Sequence, residues 1–304
     1  MSIFDQKVIK YEMKPLSSLE KVFPDETPVY RMECQMLSGL WGETVSFQVA
    51  YTGDFVMRER LDVRVVSELA EHVHVRTVEM VPVGRATNGI VDDNYLKTIS
   101  GLYPDLLKDL KDGKVIVYSR QWRSLWVDVD ITNEIPAGEY EIELQLIKEG
   151  EVVCSAKQKV TVIGTELPKL DIMHTEWMHA DCLADYYHVE VFSEEHWKLL
   201  ENYFQEYVKR DCNMMLTPLF TSPLDTAIGL ERTTCQLIDV EVKDGEYVFG
   251  FEKLKRWIDL CKKCGIEYFE MSHLFSQWGA KYAPKVVATV NGKKEKIFGW
   301  HTPA

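Results

Sequence analysis

The sequence contains no segment that would span a membrane or direct secretion. No run approaches the roughly 18 to 20 apolar residues that cross a bilayer. The N-terminus, MSIFDQKVIKYEMK, has neither the basic n-region nor the apolar h-region of a signal peptide. The seven cysteines are an odd number and are scattered without the spacing of a disulfide framework. We therefore expect a cytoplasmic protein with reduced thiols and no membrane partner.

Positive charge is also scarce. The 304 residues include 35 Lys and Arg against 48 Asp and Glu, which gives a net charge of −13, and no stripe of Lys and Arg interrupts it. Such a surface repels phosphate backbones, so we do not expect nucleic acid as a partner. The chain is 46% hydrophobic and 27% charged, without low-complexity tracts, and it is long enough for two domains with a large core.

Short segments with alternating apolar and polar residues fill the first half of the chain. A period of two with one polar face is typical of half-buried antiparallel strands. Several such strands at this spacing favour a β-sandwich over a parallel sheet. The segments are 43–50, 61–66, 72–80, 126–131, 140–146 and 152–162.

After Gly164 the pattern changes to strands that alternate with helices. Ser193 suits the N-cap of a helix with acidic residues in its first turn, and Gly265 suits the position just after the end of a second helix. Strands followed by helices indicate βαβ units and a parallel sheet. The predicted elements are strands at 170–173, 213–218 and 266–271, helices from 193 and over 251–263, and an inserted hairpin at 238–249 around Asp244-Gly245.

The predicted fold is therefore multidomain, with a β part followed by an α/β part. Residues 1–164 form an N-terminal antiparallel β-sandwich, and residues 165–304 form the first part of a (β/α)8 TIM-type barrel. A complete barrel typically takes about 250 residues, and 140 residues leave room for about three strand–helix repeats. We expect the barrel domain to be truncated, with the chain ending in a long loop after its third strand.

Five motifs, in this order, are similar to those of family-123-like glycoside hydrolases. The last of them resembles the opening of the catalytic domain in that family. The motifs are Glu43-Thr-Val-Ser-Phe-Gln, Leu125-Trp-Val-Asp-Val, Pro136-Ala-Gly-Glu-Tyr, Leu167-Pro and His174-Thr-Glu-Trp-Met-His-Ala-Asp.

The resemblance implies a retaining, substrate-assisted glycosidase that acts on N-acetylhexosamine-containing glycans. In such enzymes the acetamido oxygen of the sugar attacks the anomeric carbon, and an adjacent Asp-Glu pair holds the acetamide and protonates the leaving oxygen. The only Asp-Glu dipeptide in this chain is Asp25-Glu26, which precedes the predicted sandwich. We carry no catalytic role onto it, and we expect these 304 residues to be inactive alone.

Barrel enzymes build their sites from loops at the carboxyl ends of the strands. Aromatic rings there can stack on a sugar, while His and carboxylate groups can bind its hydroxyls. The alternative is that the Trp side chains fill the mouth of the barrel and the polar groups are solvated. The candidate sugar-binding residues are His174, Glu176, Trp177, His179 and Asp181 after the first strand, and His273 and Trp278 after the third.

No metal and no cofactor are expected. The spacing His174-x4-His179-x-Asp181 matches no specific zinc motif. Cys261-Lys-Lys-Cys264 has the spacing of a redox pair, but it lies at the predicted C-terminus of a helix, where the dipole does not lower a thiol pKa. Structural cysteines are the better interpretation.

Three hypotheses about function follow. The first is a family-123-like glycoside hydrolase, and the second is a non-catalytic carbohydrate-binding or interaction module. The third is a fragment whose unpaired strand edges lead to aggregation or to a homo-oligomer in which partner chains cover them.

Overall fold

The computed structural model describes residues 10–28, 36–54, 58–87, 89, 91–169, 171–224, 226–227, 229–275, 279–299 and 301–303. The chain divides into two compact units, Met1–Pro168 and Lys169–Ala304. The described part is mostly β-sheet and contains four sheets.

The described residues of the first unit form ten strands in two five-stranded sheets, with the orders β1-β3-β8-β5-β6 and β2-β10-β9-β4-β7. All neighbours are antiparallel except β2 and β10, which are parallel. The strands are β1 Lys10–Ser17, β2 Leu37–Trp41, β3 Thr44–Asp54, β4 Glu59–Val66, β5 Val73–Val83, β6 Gly101–Asp109, β7 Lys114–Val117, β8 Arg123–Asp130, β9 Gly138–Lys148 and β10 Glu151–Glu166.

Both sheets contribute side chains to one hydrophobic core. Phe47 and Leu125 come from the first sheet and Ile142 and Leu144 from the second, and all four are fully buried. Because side chains alternate between the two faces along each strand, these residues lie on the face of their sheet that contributes to the core. Each of the six predicted strand segments overlaps one of these strands, and the mostly β-sheet character is confirmed. The β-sandwich itself stays a prediction.

The second unit, where the structure describes it, contains three helices and two sheets. Strands β11 and β14 pair in parallel, and the second sheet has the order β13-β12-β15-β16. The elements are α1 Ala180–Tyr187, α2 Glu194–Val208, β11 Met214–Thr217, β12 Asp239–Lys243, β13 Glu246–Gly250, α3 Glu252–Cys264, β14 Tyr268–Met271, β15 Val286–Val290 and β16 Lys293–Phe298.

Helix α2 begins at the predicted N-cap, and helix α3 ends just before the predicted Gly265. The Ser193 hydroxyl accepts a hydrogen bond from the backbone N–H of His196 at 3.2 Å, as an N-cap does. Gly265 follows α3 with φ of 102°, a conformation that costs glycine little. Helices α2 and α3 pack through Phe204 and Trp257, whose ring centroids are 5.0 Å apart. The parallel pair β11–β14 is confirmed, whereas a (β/α)8 barrel stays a prediction.

Two predictions for this unit are wrong. A strand was expected over 170–173, but 171–173 are not in a strand, and residue 170 lies outside the described part. The segment after 271 was expected to be a long loop, yet it contains the hairpin β15–β16. Asn291 and Gly292, with φ of 48° and 80°, form its turn. Helix α1 was also missed. Among the described residues, no helix is long and apolar enough to cross a membrane.

Candidate functional site

The carboxyl ends of β11 and β14 form one edge of the parallel sheet in the second unit. Thr217 and Met271, the last residues of the two strands, are register partners. The backbone N–H of Ser272 donates to the carbonyl of Thr217 at 2.9 Å, so the segments that follow the strands begin side by side. In parallel α/β sheets, ligands bind at this edge, because the loops that follow the strands converge there.

Trp177, Glu270 and His273 form a cluster at this edge. The indole N–H of Trp177 donates to Oε2 of Glu270 at 3.0 Å. The rings of Trp177 and His273 meet edge to face, with centroids 5.5 Å apart and planes at 80°. Trp177 remains 48% exposed, so part of its ring is open to solvent. An oriented, exposed indole beside a carboxylate and an imidazole can stack on a sugar and bind its hydroxyls.

The structure therefore brings together two of the predicted site residues, Trp177 and His273, and adds Glu270. Glu270 is not among the residues predicted from the sequence, because it lies within β14 and has the pattern of an ordinary strand residue. The available signal was a carboxylate one residue before the end of an otherwise apolar strand.

His174 and Glu176 form a second, looser pair. Nε2 of His174 lies 3.4 Å from Oε1 of Glu176, and Nδ1 lies 3.2 Å from the carbonyl oxygen of Asp211. The Glu176 side chain is 76% exposed. This pair is available to a ligand, but no described contact links it to the cluster of Trp177, Glu270 and His273.

Tyr207, on α2, holds the backbone of this segment in place. Its hydroxyl accepts a hydrogen bond from the N–H of Glu176 at 2.8 Å and donates to the carbonyl of Met214 at 2.7 Å. Burial raises the pKa of Tyr207, so the hydroxyl stays protonated and keeps its donor at neutral pH. The phenol therefore ties the segment before Trp177 to the first residue of β11.

Asp181 is a buried anchor. Its carboxylate accepts from Nε of Arg232 at 2.8 Å and from Nη2 at 3.3 Å, and the two side chains are 8% and 11% exposed. The arginine fork and the carboxylate form a bidentate pair. Both carboxylate oxygens of Asp181 thus already accept hydrogen bonds from Arg232. Direct sugar contact by Asp181 stays a prediction.

The other predicted site residues are placed as follows. His179 is the N-cap residue of α1 and lies outside the Trp177 cluster as described. Trp278 lies outside the described residues. Among the residues that are described, no group of three or more His, Cys, Asp or Glu side chains is arranged to hold a metal ion.

Cys261 and Cys264 lie in the last turn of α3, as predicted. Burial raises the pKa of both thiols, with Cys261 fully buried. A raised pKa disfavours the thiolate, which is the reactive form. The pair has the properties of structural cysteines.

An apolar hollow of about 410 Å³ also opens at the carboxyl ends of β11 and β14. Leu274 and Phe275, which line it, directly follow His273 in the chain. Tyr247 and Phe249 on β13 stack in near-parallel planes and form part of its wall. The edge thus combines polar and aromatic groups with an apolar hollow, as is common in small-molecule sites.

The second unit matches the model of a known protein family. Residues 177–303 match the family model described as "Glycoside hydrolase 123, catalytic domain". The matched segment begins at Trp177 and includes Glu270 and His273. The resemblance to family 123 glycoside hydrolases is confirmed. No curated protein sequence matches the chain.

A solved structure of a family 123 glycoside hydrolase from Clostridium perfringens, described in connection with glycolipid glycan hydrolysis, has a similar fold. The TM-score is 0.69 and the identity 13%, and the match covers 95% of this chain and 52% of that one. The chain thus spans about half the length of that protein. A β-glucosidase from Listeria innocua matches with a TM-score of 0.24 and 10% identity, over 53% of this chain and 17% of that one. This likeness is too weak to indicate a shared fold.

Proposed function

We propose that this protein is a glycoside hydrolase that acts on N-acetylhexosamine-containing glycans. In this proposal the sugar stacks on Trp177, and Glu270 and His273 bind its hydroxyls. The observation that carries the proposal is the Trp177–Glu270–His273 cluster at the carboxyl ends of β11 and β14, within the segment that matches the family 123 catalytic domain. An antiparallel β-sandwich of residues 1–164 and a partial TIM-type barrel of residues 165–304 belong to the same proposal.

The chemistry would be substrate-assisted and retaining. The acetamido oxygen of the sugar attacks the anomeric carbon, and a carboxylic acid protonates the leaving oxygen. The described residues near the cluster contain no adjacent Asp-Glu pair. Asp25 and Glu26 lie in the first unit, where both are paired with Lys97, at 3.3 and 2.7 Å. The role of this chain in the proposal is to hold the sugar.

A non-catalytic carbohydrate-binding module is the second candidate. It is favoured by the engagement of Asp181, the one carboxylate of α1 that is buried, with Arg232. Both oxygens of this carboxylate already accept from the guanidinium, so neither is free to serve as the general acid of glycoside hydrolysis.

Binding of the monosaccharides tests both candidates. We expect N-acetylgalactosamine or N-acetylglucosamine to bind the chain in titration calorimetry, and Trp177→Ala to weaken binding about tenfold through the lost stacking surface. Trp177→Phe should retain part of the affinity, because a ring remains. Tyr186→Ala is the control, since Tyr186 is an exposed aromatic residue of the same unit that lies on α1. Equal binding by wild type and Trp177→Ala would contradict the site.

Hydrolysis separates the two candidates. Because the described residues near the cluster supply no adjacent Asp-Glu pair, the full-length version of the protein is used, and it is incubated with the 4-nitrophenyl β-glycosides of both sugars. Release of nitrophenol that is lost in Trp177→Ala supports the hydrolase, whereas binding without release supports the carbohydrate-binding module.

A further inference from the structure

A cavity with a volume of about 600 Å³ lies in the first unit. Its walls come from β4 and β7 of one sheet and from β3, β5, β6 and β8 of the other. The volume is in the range of small-molecule sites, about 300–1,000 Å³, and it is larger than a bare inorganic ion needs.

The walls of the cavity are rich in positive charge, although the chain as a whole carries −13. Six cationic and three acidic side chains line it. Two of the cations are neutralised outside the cavity, because Arg60 pairs with Asp112 at 3.0 Å and Lys114 with Asp62 at 3.2 Å.

One of the three carboxylates is neutralised as well. Glu59 accepts hydrogen bonds from Lys148, at 2.8 Å, and from the phenol of Tyr11. Burial acts to raise the pKa of Glu59, but these two hydrogen bonds outweigh it and lower the pKa. The charge of Glu59 is therefore balanced from its own neighbours.

The remaining cations have no acidic partner among the described residues. They are Arg58, Lys108, Lys111 and Arg123, and they share the cavity with two carboxylates, Glu79 and Asp109. The cavity therefore carries more positive than negative unpaired charge.

Arg123 is the most enclosed of these cations. Its guanidinium lies 5.0 Å from the centre of the Tyr118 ring and donates from Nη2 to Oε1 of Gln121 at 3.0 Å. Its Nε is buried and has no hydrogen-bond acceptor in the described structure. A buried donor without an acceptor is costly, and a carboxylate or another anion is the usual partner of a guanidinium.

We propose that this cavity binds a small anionic saccharide, one that carries a sulfate ester or a carboxylate. Arg123 would be the inner contact of the anionic group, and Lys108 and Lys111, both exposed, would be its contacts at the rim. The aromatic ring of Tyr118 would pack beside the sugar. The anionic group follows from the charges of the cavity, and the saccharide rests on the proposed function.

The test is a titration of the whole chain with galactose 6-sulfate, glucuronate, galactose and inorganic sulfate. We expect one of the two anionic sugars to bind at least tenfold more tightly than galactose and than inorganic sulfate. The affinity should fall as NaCl is raised from 20 to 300 mM, because the rim charges are screened. The double variant Lys108→Gln/Lys111→Gln should weaken binding about tenfold.

Lys159→Gln is the matched control, since Lys159 is an exposed lysine of the same unit that does not line the cavity. It should bind like wild type. The proposal is overturned if the double variant binds with wild-type affinity, or if the anionic sugars bind no more tightly than galactose. Inorganic sulfate binding as tightly as the sugar sulfate would overturn the saccharide part.

Failure of this proposal is distinguishable from failure of the proposed function. The N-acetylhexosamine site depends on Trp177, in the second unit, and the anion site on Lys108 and Lys111, in the first. Trp177→Ala should leave the binding of the anionic sugar unchanged, and the double lysine variant should leave N-acetylhexosamine binding unchanged.

Discussion

Asn213 and His174 are joined by hydrogen bonds from both backbone and side chain. The backbone N–H of His174 donates to Oδ1 of Asn213 at 2.8 Å, and the backbone N–H of Asn213 donates to the carbonyl of His174 at 3.1 Å. Nδ2 of Asn213 also donates to the carbonyl of Ile172 at 2.8 Å. One amide side chain thus ties the segment that leads to Trp177 to the start of β11, in place of a strand ladder.

Replacement of Asn213 should therefore affect both stability and the candidate site. Asn213→Ala removes two side-chain hydrogen bonds, and we expect a loss of about 1–3 kcal/mol in the free energy of unfolding. N-acetylhexosamine binding should weaken as well, because Trp177 loses its support. Asn213→Asp retains the acceptor for the N–H of His174. Its free energy of unfolding, measured by urea denaturation, should lie between those of the wild type and Asn213→Ala. If Asn213→Ala has the stability and the N-acetylhexosamine affinity of the wild type, the segment that leads to Trp177 is held by other contacts.

The Asp181–Arg232 pair gives a second stability prediction. Asp181→Asn removes the negative charge beside a buried guanidinium, and we expect a loss of about 3 kcal/mol or more. Asp185→Asn on the same helix is the control. Asp185 is exposed, and within the part of the chain that the structure describes it accepts from the Thr233 hydroxyl alone, at 2.9 and 3.0 Å, so its replacement should cost less than about 1 kcal/mol. Similar losses in the two variants, measured by urea denaturation, would contradict the importance of the buried pair.

The N-cap of α2 provides a third prediction. The Ser193 hydroxyl satisfies one of the unpaired N–H groups of the first turn, so Ser193→Ala should lower the free energy of unfolding by about 1 kcal/mol. Ser193→Asp should restore most of this loss, because a carboxylate can accept the same hydrogen bond. If the Asp variant is no more stable than the Ala variant, capping is not the source of the effect.

His196 should make stability depend on pH. Its ring is fully buried, with Nδ1 accepting from the N–H of Phe192 at 2.9 Å and Nε2 donating to the carbonyl of Ala180 at 2.9 Å. Burial lowers the pKa of His196, and this outweighs the opposing effects of the Ala180 carbonyl and Asp181. The folded state therefore favours the neutral ring.

The sign follows from proton linkage. Below the unfolded-state pKa of about 6.5, the unfolded chain takes up a proton that the folded protein does not. The contribution of His196 is complete above that pH and is lost as the pH falls toward the lower folded-state pKa. We expect the wild type to lose more stability between pH 7.5 and 5.5 than His196→Gln, which cannot titrate. Equal losses in urea denaturation at the two pH values would exclude His196 as the titrating group.

Local patterns predicted most elements of the structure. The alternation at 43–50 and 126–131 corresponds to β3 and β8, and Asp244-Gly245 forms the turn between β12 and β13. These predictions succeeded because side-chain period and turn chemistry are properties of a few adjacent residues.

The errors have physical causes. Residues 171–173 are apolar enough to suggest a strand, but Asn213 holds their backbone with its side chain. Strand β16, with the sequence KKEKIF, is charged and lies at a sheet edge, so it lacks alternation. The Asn291-Gly292 turn was a usable signal for that hairpin and was missed.

The sequence by itself determined the family resemblance, most of the secondary-structure elements and two members of the cluster, Trp177 and His273. Only the tertiary structure decided that Trp177 is hydrogen-bonded to Glu270, a residue 93 positions away, and that Arg232 forms an ion pair with Asp181. It also decided that cations from both sheets of the first unit line one cavity. These relationships depend on which strands become neighbours, and long-range pairing is a property of the whole folded chain, which no local pattern contains.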